Sequence, residues 1–364
     1  MPEEIYEKLR EQLDHYSVGF PHTESGIEKR ILKKLFTAEE AEMFLLLSMI
    51  PETPESVAER IGRDSGTVTA LFEQMLKKGL IFCLRKDGTA KFGALPFAPG
   101  ILEQQSETMD IELAELFEGY FQEAFHKSYT ETSPVLIHRP IPINRVIDVS
   151  YPMAIYENSR EIVRTQGLIA VAKCICRVQK GALDKGCDRP VETCLMFGSQ
   201  AQYYIDRGTG RHITTDEALK ILDQCEEAGL VTQPFNAQTP ANICNCCPDC
   251  CVVLGTLKQH PRPVEMVKPS FYALVDSDQC ESCETCLERC PMDAITIDGD
   301  DPANINLNRC IGCGLCVSTC PTEALSLDPR PEDQRFEPPE TGPQTFMEIA
   351  RRRGKSLIPL AMSK

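Results

Sequence analysis

Two copies of one cysteine pattern, thirty residues apart, close this chain and constrain its fold more than anything upstream. Cys280, Cys283, Cys286, Cys290 and Pro291 recur as Cys310, Cys313, Cys316, Cys320 and Pro321. The residues behind them keep the same step: Ala294 with Ala324, Ile295 with Leu325, Ile297 with Leu327, Asp298 with Asp328. Disulfides fit this pattern poorly, because thiols crowded on so short a loop give poor bridge geometry. C-x2-C pairs also build zinc ribbons, but eight cysteines in duplicated order, each set followed by proline, argue against zinc here.

The spacing C-x2-C-x2-C-x3-C-P is an iron–sulfur ligand pattern, and on it residues 271–330 closely resemble the bacterial two-cluster [4Fe-4S] ferredoxins. The resemblance implies two [4Fe-4S] clusters, three thiolates of each loop reaching one cube and the fourth cysteine the other. One cluster would take Cys280, Cys283, Cys286 and Cys320, the other Cys310, Cys313, Cys316 and Cys290. The copies are not equal. Gly312 and Gly314 let the second loop wrap closely, whereas the first has Ser282 and Glu284 in their places. Glu281 and Glu284 are expected to disfavour adding an electron nearby, since charge and hydrogen bonds to sulfur tune the potential.

At 364 residues the chain exceeds one ordinary domain. Nineteen cysteines would suggest a disulfide scaffold behind a signal peptide, but the opening Met-Pro-Glu-Glu-Ile-Tyr-Glu-Lys-Leu-Arg is charged and amphipathic. Apolar runs such as Phe44–Ile50 are too short to cross a bilayer. The expectation is a cytoplasmic protein of an anaerobic or microaerobic setting, without membrane insertion, its thiols kept reduced for metal. A net charge of −16 disfavours a chain devoted to nucleic acid. Residues 271–330 carry eleven Asp/Glu against three Lys/Arg, which predicts an acidic face steering toward a redox partner with a basic docking patch.

The chain reads as α+β and multidomain: a winged-helix domain (1–100), a helix with a proline-rich connector (101–164), a Cys-rich α/β metal-binding domain (165–265), the ferredoxin domain (266–330), and a Pro/Glu-rich linker with a basic tail (331–364). Ile5, Leu9 and Leu13 form a helical stripe. A helix is expected from Thr37 through Ile50, another at Ser56–Ile61, and a third at Gly66–Lys78 with Ser65 as its cap. Ile81–Arg85 and Ala90–Phe92, around Asp87-Gly88, read as a two-stranded wing. This order resembles winged helix-turn-helix domains, which implies DNA reading by the third helix. Residues 51–97, however, hold seven Lys/Arg and six Asp/Glu, so protein contact is favoured over DNA. A helix near Met109–His126 carries a stripe suited to core or dimer packing. Pro134–Pro142 reads as a connector and Arg145–Val149 as a strand. The basic stretch Phe346–Leu360 either docks on an acidic surface or forms a loosely held terminal helix.

The least familiar chemistry lies between. One group is Cys174, Cys176, Cys187 and Cys194; a second is Cys244, Cys246, Cys247, Cys250 and Cys251. Cys174-Ile-Cys176 on an extended segment would put both thiols on one face. Gly186 lets Cys187 approach closely, and Cys194 is expected near the start of a helix. The second group precedes an apolar helix, Val252–Leu257, and five thiols so close repel and oxidise unless they bind metal. A third iron–sulfur cluster is favoured, a fourth is the upper limit, and structural zinc is the alternative. Cys83 and Cys225 read as core residues. Cys-Ile-Cys-Arg, Gly-Cys-Asp-x-Pro-x-Glu-x-Cys, Ile-Cys-Asn-Cys-Cys and the final repeat together resemble anaerobe proteins that join a winged helix, a Cys-rich middle and a ferredoxin pair. That resemblance implies single-electron transfer within a larger redox system; separately, a homodimer or larger complex is expected, and no catalytic residue is assigned. The rivals are a redox-sensing regulator using the winged helix, and a reductase with its site in the Cys-rich middle.

Overall fold

Leu9 and Leu13 are fully buried, so the stripe that makes the first helix amphipathic is also what seats it. The computed structural model describes residues 2–133, 135–143 and 153–362; the strand expected at 145–149 lies outside the described residues. Helices α1 (Pro2–Asp14), α2 (Ile27–Leu35) and α3 (Ala38–Phe44) come first. The Thr37 hydroxyl accepts from the Glu40 N–H while the Glu40 carboxylate accepts from the Thr37 N–H, a reciprocal cap. This helix stops at Phe44 rather than running to Ile50. Then follow α4 (Pro54–Ile61) and α5 (Ser65–Lys78), the latter capped by Asp64, not Ser65: the Asp64 carboxylate accepts from the Thr67 N–H at 2.8 Å. Strands β1 (Ile81–Lys86) and β2 (Thr89–Ala94) form an antiparallel hairpin, with Glu52 paired to Phe92 at its edge. The helix expected near 109–126 is instead α6 (Ile111–Tyr120), a π-helical turn (Phe121–Phe125) and α7 (His126–Thr130). Its stripe from Leu113 to Phe125 is buried within this chain, while Ile111 is exposed.

After α8 (Ser159–Arg164) come β3 (Ile169–Lys173), α9 (Ile175–Ala182), β4 (Glu192–Phe197), α10 (Gly198–Asp206), β5 (Gly210–Ile213), α11 (Thr215–Glu227), β6 (Val231–Pro234) and β7 (Asn242–Cys246). The strands make one sheet, ordered β5-β3-β4-β7-β6, and every neighbouring pair is antiparallel. Successive side chains leave opposite faces of a strand, and both faces are covered. Ala170, Ala172, Cys194, Met196 and Cys246 join a large core shared with the N-terminal helices and with α10. Ile169, Val171, Leu195, Phe197 and Ile243 join a second core beneath α8 and α11.

Residues 135–143, expected as a connector, are a buried strap along β6. The N–H groups of Arg139, Ile141 and Ile143 donate to the carbonyls of Pro234, Thr232 and Cys313 at 3.3, 3.0 and 3.1 Å. Pro140 and Pro142 fall on the alternate positions, where no donor is needed, which is how proline is tolerated at a sheet edge. The strap thus runs from the five-stranded sheet to the C-terminal unit.

That unit contains α12 (Val252–Gln259), α13 (Pro263–Val267), β8 (Phe271–Val275), α14 (Thr285–Arg289), β9 (Ile295–Thr296), β10 (Asn304–Ile305) and β11 (Leu325–Pro329), with β8 antiparallel to β11 and β9 to β10. The thirty-residue repeat is visible in its backbone. Ser282, Glu284 and Asp293 have positive φ, and so do Gly312, Gly314 and Glu323. The chain beyond Pro329 is paired rather than free: Gln238 and Thr239 N–H groups donate to the carbonyls of Pro339 and Glu340. In α15 (Gly342–Arg352), Phe346 packs on Phe235 with ring centroids 5.4 Å apart. Among the described residues no helix is long and apolar enough to cross a membrane.

The basic tail docks on the N-terminus. Arg353 Nη2 lies 2.8 Å and Lys355 Nζ 3.0 Å from the Asp14 carboxylate. Burial pushes the Asp14 carboxyl up, but Arg353 and Lys355 outweigh it and hold it below its ordinary value. The clamp therefore stabilises the fold above the unfolded carboxylate pKa, and this is lost as pH falls through the lowered folded one. Arg353→Ala is expected to cost about 2–3 kcal/mol at neutral pH in urea unfolding, with the difference from the parent shrinking on acidification. Equal midpoints at neutral pH would mean that the tail contributes nothing.

Candidate metal centres

Cys280, Cys283, Cys286 and Cys320 line one cavity, and Cys290, Cys310, Cys313 and Cys316 line another. Three thiols of each loop thus face the fourth cysteine of the other copy. Backbone N–H groups point at the sulfurs: Ala303 at Cys280 (3.4 Å), Ala294 at Cys290 (3.3 Å) and Ala273 at Cys310 (3.4 Å). Such donors favour the charged form of a thiol and an anionic group bound to it. Burial pushes the Cys313 thiol up to about 12 and that of Cys316 well above its ordinary value, so a metal entering there displaces protons. Four converging thiols and N–H donors fit a [4Fe-4S] cubane in each cavity.

The loops reach one backbone shape by different means. Gly312 has φ +66°, and a Cβ there would lie 2.2 Å from the Phe271 carbonyl oxygen. In the first copy Ser282 and Glu284 adopt φ of 53° and 62°. The Ser282 hydroxyl donates to the carbonyls of Asp300 and Asp301 at 3.0 and 2.8 Å, fixing a turn that glycine adopts without help.

The three arginines of residues 271–330 all point inward. Arg289 donates to the Glu227 carbonyl at 3.1 Å, Arg309 to those of Lys258 and Met292 at 2.9 and 2.7 Å, and Arg330 to that of Leu307 at 3.2 Å. Glu281, Glu284, Glu288, Asp298, Asp300 and Asp301 stay exposed, so the outer face is acidic.

The nine middle cysteines divide into six and three. Cys174 lies beside Cys176 and Cys194, Cys176 beside Cys251, Cys194 beside Cys244, and Cys246 beside both Cys244 and Cys251. These contacts close a ring of six thiols. The sulfurs of Cys187, Cys247 and Cys250 lie within 4.8 Å of one another, Cys187 to Cys247 at 3.8 Å. The division follows strand alternation. Cys244 and Cys246 leave β7 on the large-core side, and the next residue, Cys247, joins the second core. After a turn the doublet Cys250-Cys251 repeats the split: Cys250 joins Cys247, while Cys251 caps α12 and its sulfur accepts from the Leu254 N–H at 3.4 Å.

Two expectations need correction. Cys174 and Cys176 do not share an extended segment, because β3 ends at Lys173 and the chain turns into α9, with Cys174 as its cap. The pair on an extended strand is Cys244 and Cys246. Cys194 lies inside β4, and the helix expected there begins only at Gly198. Cys83 and Cys225 are buried elsewhere in the core, their thiols pushed up by burial to about 11 and about 12.

Within the ring, neighbours bias one another's protons. Contacts from Cys176 and Cys194 draw Cys174 well below the ordinary thiol value, and those from Cys244 and Cys251 draw Cys246 down to about 7. Cys176, Cys194 and Cys244 are pushed up for the converse reason. His138, in the strap, was not singled out in the sequence; its Nε2 lies 3.6 Å from the Cys244 sulfur and 3.1 Å from Asn242 Oδ1. Burial pushes its pKa down to about 4, so the imidazole is neutral. The signal for it was the apolar run around it, Val135-Leu-Ile and Ile141, too apolar for a surface connector.

A family model described as a 4Fe-4S dicluster domain matches residues 273–327, and a second of the same description matches residues 309–351. The C-terminal domain is ferredoxin-like. Both cavities lie in this ferredoxin-like domain, whereas the ring and the trio lie outside both matches. No curated protein matches the chain.

The two loops predict opposite responses. Gly312→Ala forces a side chain against the Phe271 carbonyl in a left-handed backbone, and is expected to cost more than about 2 kcal/mol and to lower iron content. Glu284→Gly relieves the left-handed strain at some cost in chain entropy, a net gain of about 0.5–1 kcal/mol. Anaerobic urea unfolding of both variants checks the pair; equal effects would contradict the asymmetry.

Proposed function

We propose that the protein is an iron–sulfur electron-transfer component that passes single electrons between a redox partner and a third cluster held by the six-thiol ring. Cys280, Cys283, Cys286 and Cys320 would hold one cubane, Cys290, Cys310, Cys313 and Cys316 the other, and Cys174, Cys176, Cys194, Cys244, Cys246 and Cys251 the third centre. When bound, each cluster supplies a site that gains or loses one electron. The protein's part is to hold the thiols, aim N–H groups at sulfur and keep the sites close.

The observation that carries this reading is the strap. His138 touches Cys244 of the ring, and Ile143 donates to the carbonyl of Cys313. Five residues of extended backbone span at most about 18 Å, so one strand joins the ring to the more buried cubane cavity. The more exposed cavity carries the acidic face, which suits a partner with a basic patch. Entry at the exposed cavity and exit through the buried one toward the ring follows from that order.

The winged-helix reading is kept as a protein-contact module. The exposed face of α5 is Gly66, Thr67, Ala70, Glu73, Gln74 and Lys77, one base and one acid, unlike a surface for phosphates. Carbonyls near its end, Leu76 and Lys77, accept from Arg207, the residue that follows α10, at 2.8 and 3.2 Å. We place the protein in a reducing cytoplasm, as part of a larger redox assembly.

Anaerobically purified full-length protein should hold iron and sulfide beyond the roughly eight atoms of each in two cubanes. Cys194→Ser or Cys244→Ser should remove only that excess. Wild-type protein with no excess would overturn the ring as an iron site. Raising salt should slow electron delivery to the partner through a lower on-rate; a flat rate would count against electrostatic docking.

A further inference from the structure

The trio on the other side of the sheet differs in kind from every other cysteine group. Among the described residues it is the only set whose ligand atoms all lie within 4.8 Å of one another. The eight ferredoxin-like cysteines stand four to a cavity around two cavities, and each ring sulfur contacts two neighbours around a circuit. Cubane ligands surround space; these three converge on a point. A tetrahedral divalent ion bound by thiolates at about 2.3 Å sets its sulfurs about 3.8 Å apart, which is the separation of Cys187 and Cys247.

No fourth Cys, His, Asp or Glu joins them among the described residues. Two cations do. Arg177, only 4% exposed, holds the Asn245 carbonyl at 3.1 Å and reaches the Cys247 sulfur at 3.8 Å. Arg189 contacts Cys187, pairs with Asp249 and donates to the Ala228 carbonyl at 3.1 Å. Three thiolates on a divalent ion leave a net charge of −1, which Arg177 offsets while Asp249 takes up the charge of Arg189, so a singly charged fourth ligand leaves the site no more negative than the ion and its three thiolates alone. The loop carrying Cys187 is exposed at residues 184–186 and 190–192, which gives a ligand a way in. A sulfur-rich, zinc-type site favours a soft donor.

We propose that Cys187, Cys247 and Cys250 bind one zinc-type divalent ion whose fourth position is open to a small thiol, as a centre separate from the six-thiol ring. The thiol binds as thiolate and its proton goes to solvent; no electron moves. This goes beyond the electron-transfer reading and does not depend on it. The doublets Cys246-Cys247 and Cys250-Cys251 each give one thiol to the ring and one to the ion.

The test is metal analysis and zinc-edge X-ray absorption on full-length protein purified anaerobically without added thiol. The expected result is about one zinc per chain, with about three sulfurs and one lighter atom around it, changing to four sulfurs on adding 2-mercaptoethanol. Cys250→Ser should lose the zinc and keep its iron and sulfide, whereas Cys251→Ser next door should keep the zinc. If Cys250→Ser does not fold, Cys187→Ala on the exposed loop reads the same loss. Absence of zinc, four sulfurs before thiol is added, no response to 2-mercaptoethanol, or loss of iron and sulfide in Cys250→Ser or Cys187→Ala would each overturn the proposal. Failure of the electron-transfer reading would show instead as missing excess iron with the zinc intact.

Discussion

Adjacent residues of a strand cannot point the same way, and the grouping of the middle cysteines depends on that constraint. Along β7 it sends Cys244 and Cys246 into one core and delivers Cys247 to the other. Because α10 covers one face of the sheet and α8 with α11 cover the other, both sets of thiols are enclosed rather than left at a surface. A one-residue slip of β7 against β4 and β6 would exchange the faces and dissolve both groups. Register therefore decides which thiols share a face of this sheet.

Nine thiols drawn together from residues 174–251 are a burden on an empty fold, since ionised neighbours repel and buried thiols resist ionisation. Bound metal reverses the sign of that contribution, so its binding free energy becomes part of the folding free energy of the middle region. Contacts from the rest of the chain hold the middle region in place. The strap closes the edge of β6 and brings His138 against Cys244. Arg353 and Lys355 fasten the C-terminus to Asp14, and Arg289 of the ferredoxin-like domain and Arg189 beside the trio both donate to carbonyls at the end of α11, where helix carbonyls lack partners.

Legibility in the sequence followed how local the signal was. The ferredoxin-like repeat could be read because ligand spacing, proline and the following apolar residues all lie within thirty residues, and the backbone repeats its left-handed positions in step. Cys194 was misread because Glu192–Phe197 runs straight into the helix from Gly198, leaving no turn residue except that glycine to mark the boundary. Cys174 and Cys176 were misread because β3 passes directly into α9, whose first turn has no side-chain cap. Prolines made 134–142 look like a linker; only the pairing with β6 shows that Pro140 and Pro142 occupy positions needing no donor. The six-and-three division rests on contacts between residues up to seventy-five apart, beyond what spacing alone conveys.

The central claim is that one sheet separates the middle cysteines into two metal centres. Anomalous diffraction from anaerobically grown crystals of the full-length protein, collected on either side of the iron and zinc absorption edges, tests it most directly. The account predicts iron in both ferredoxin-like cavities and at the ring, and a single zinc peak on the opposite face of the sheet beside Cys187. One continuous metal site ligated by both members of either cysteine doublet would contradict it.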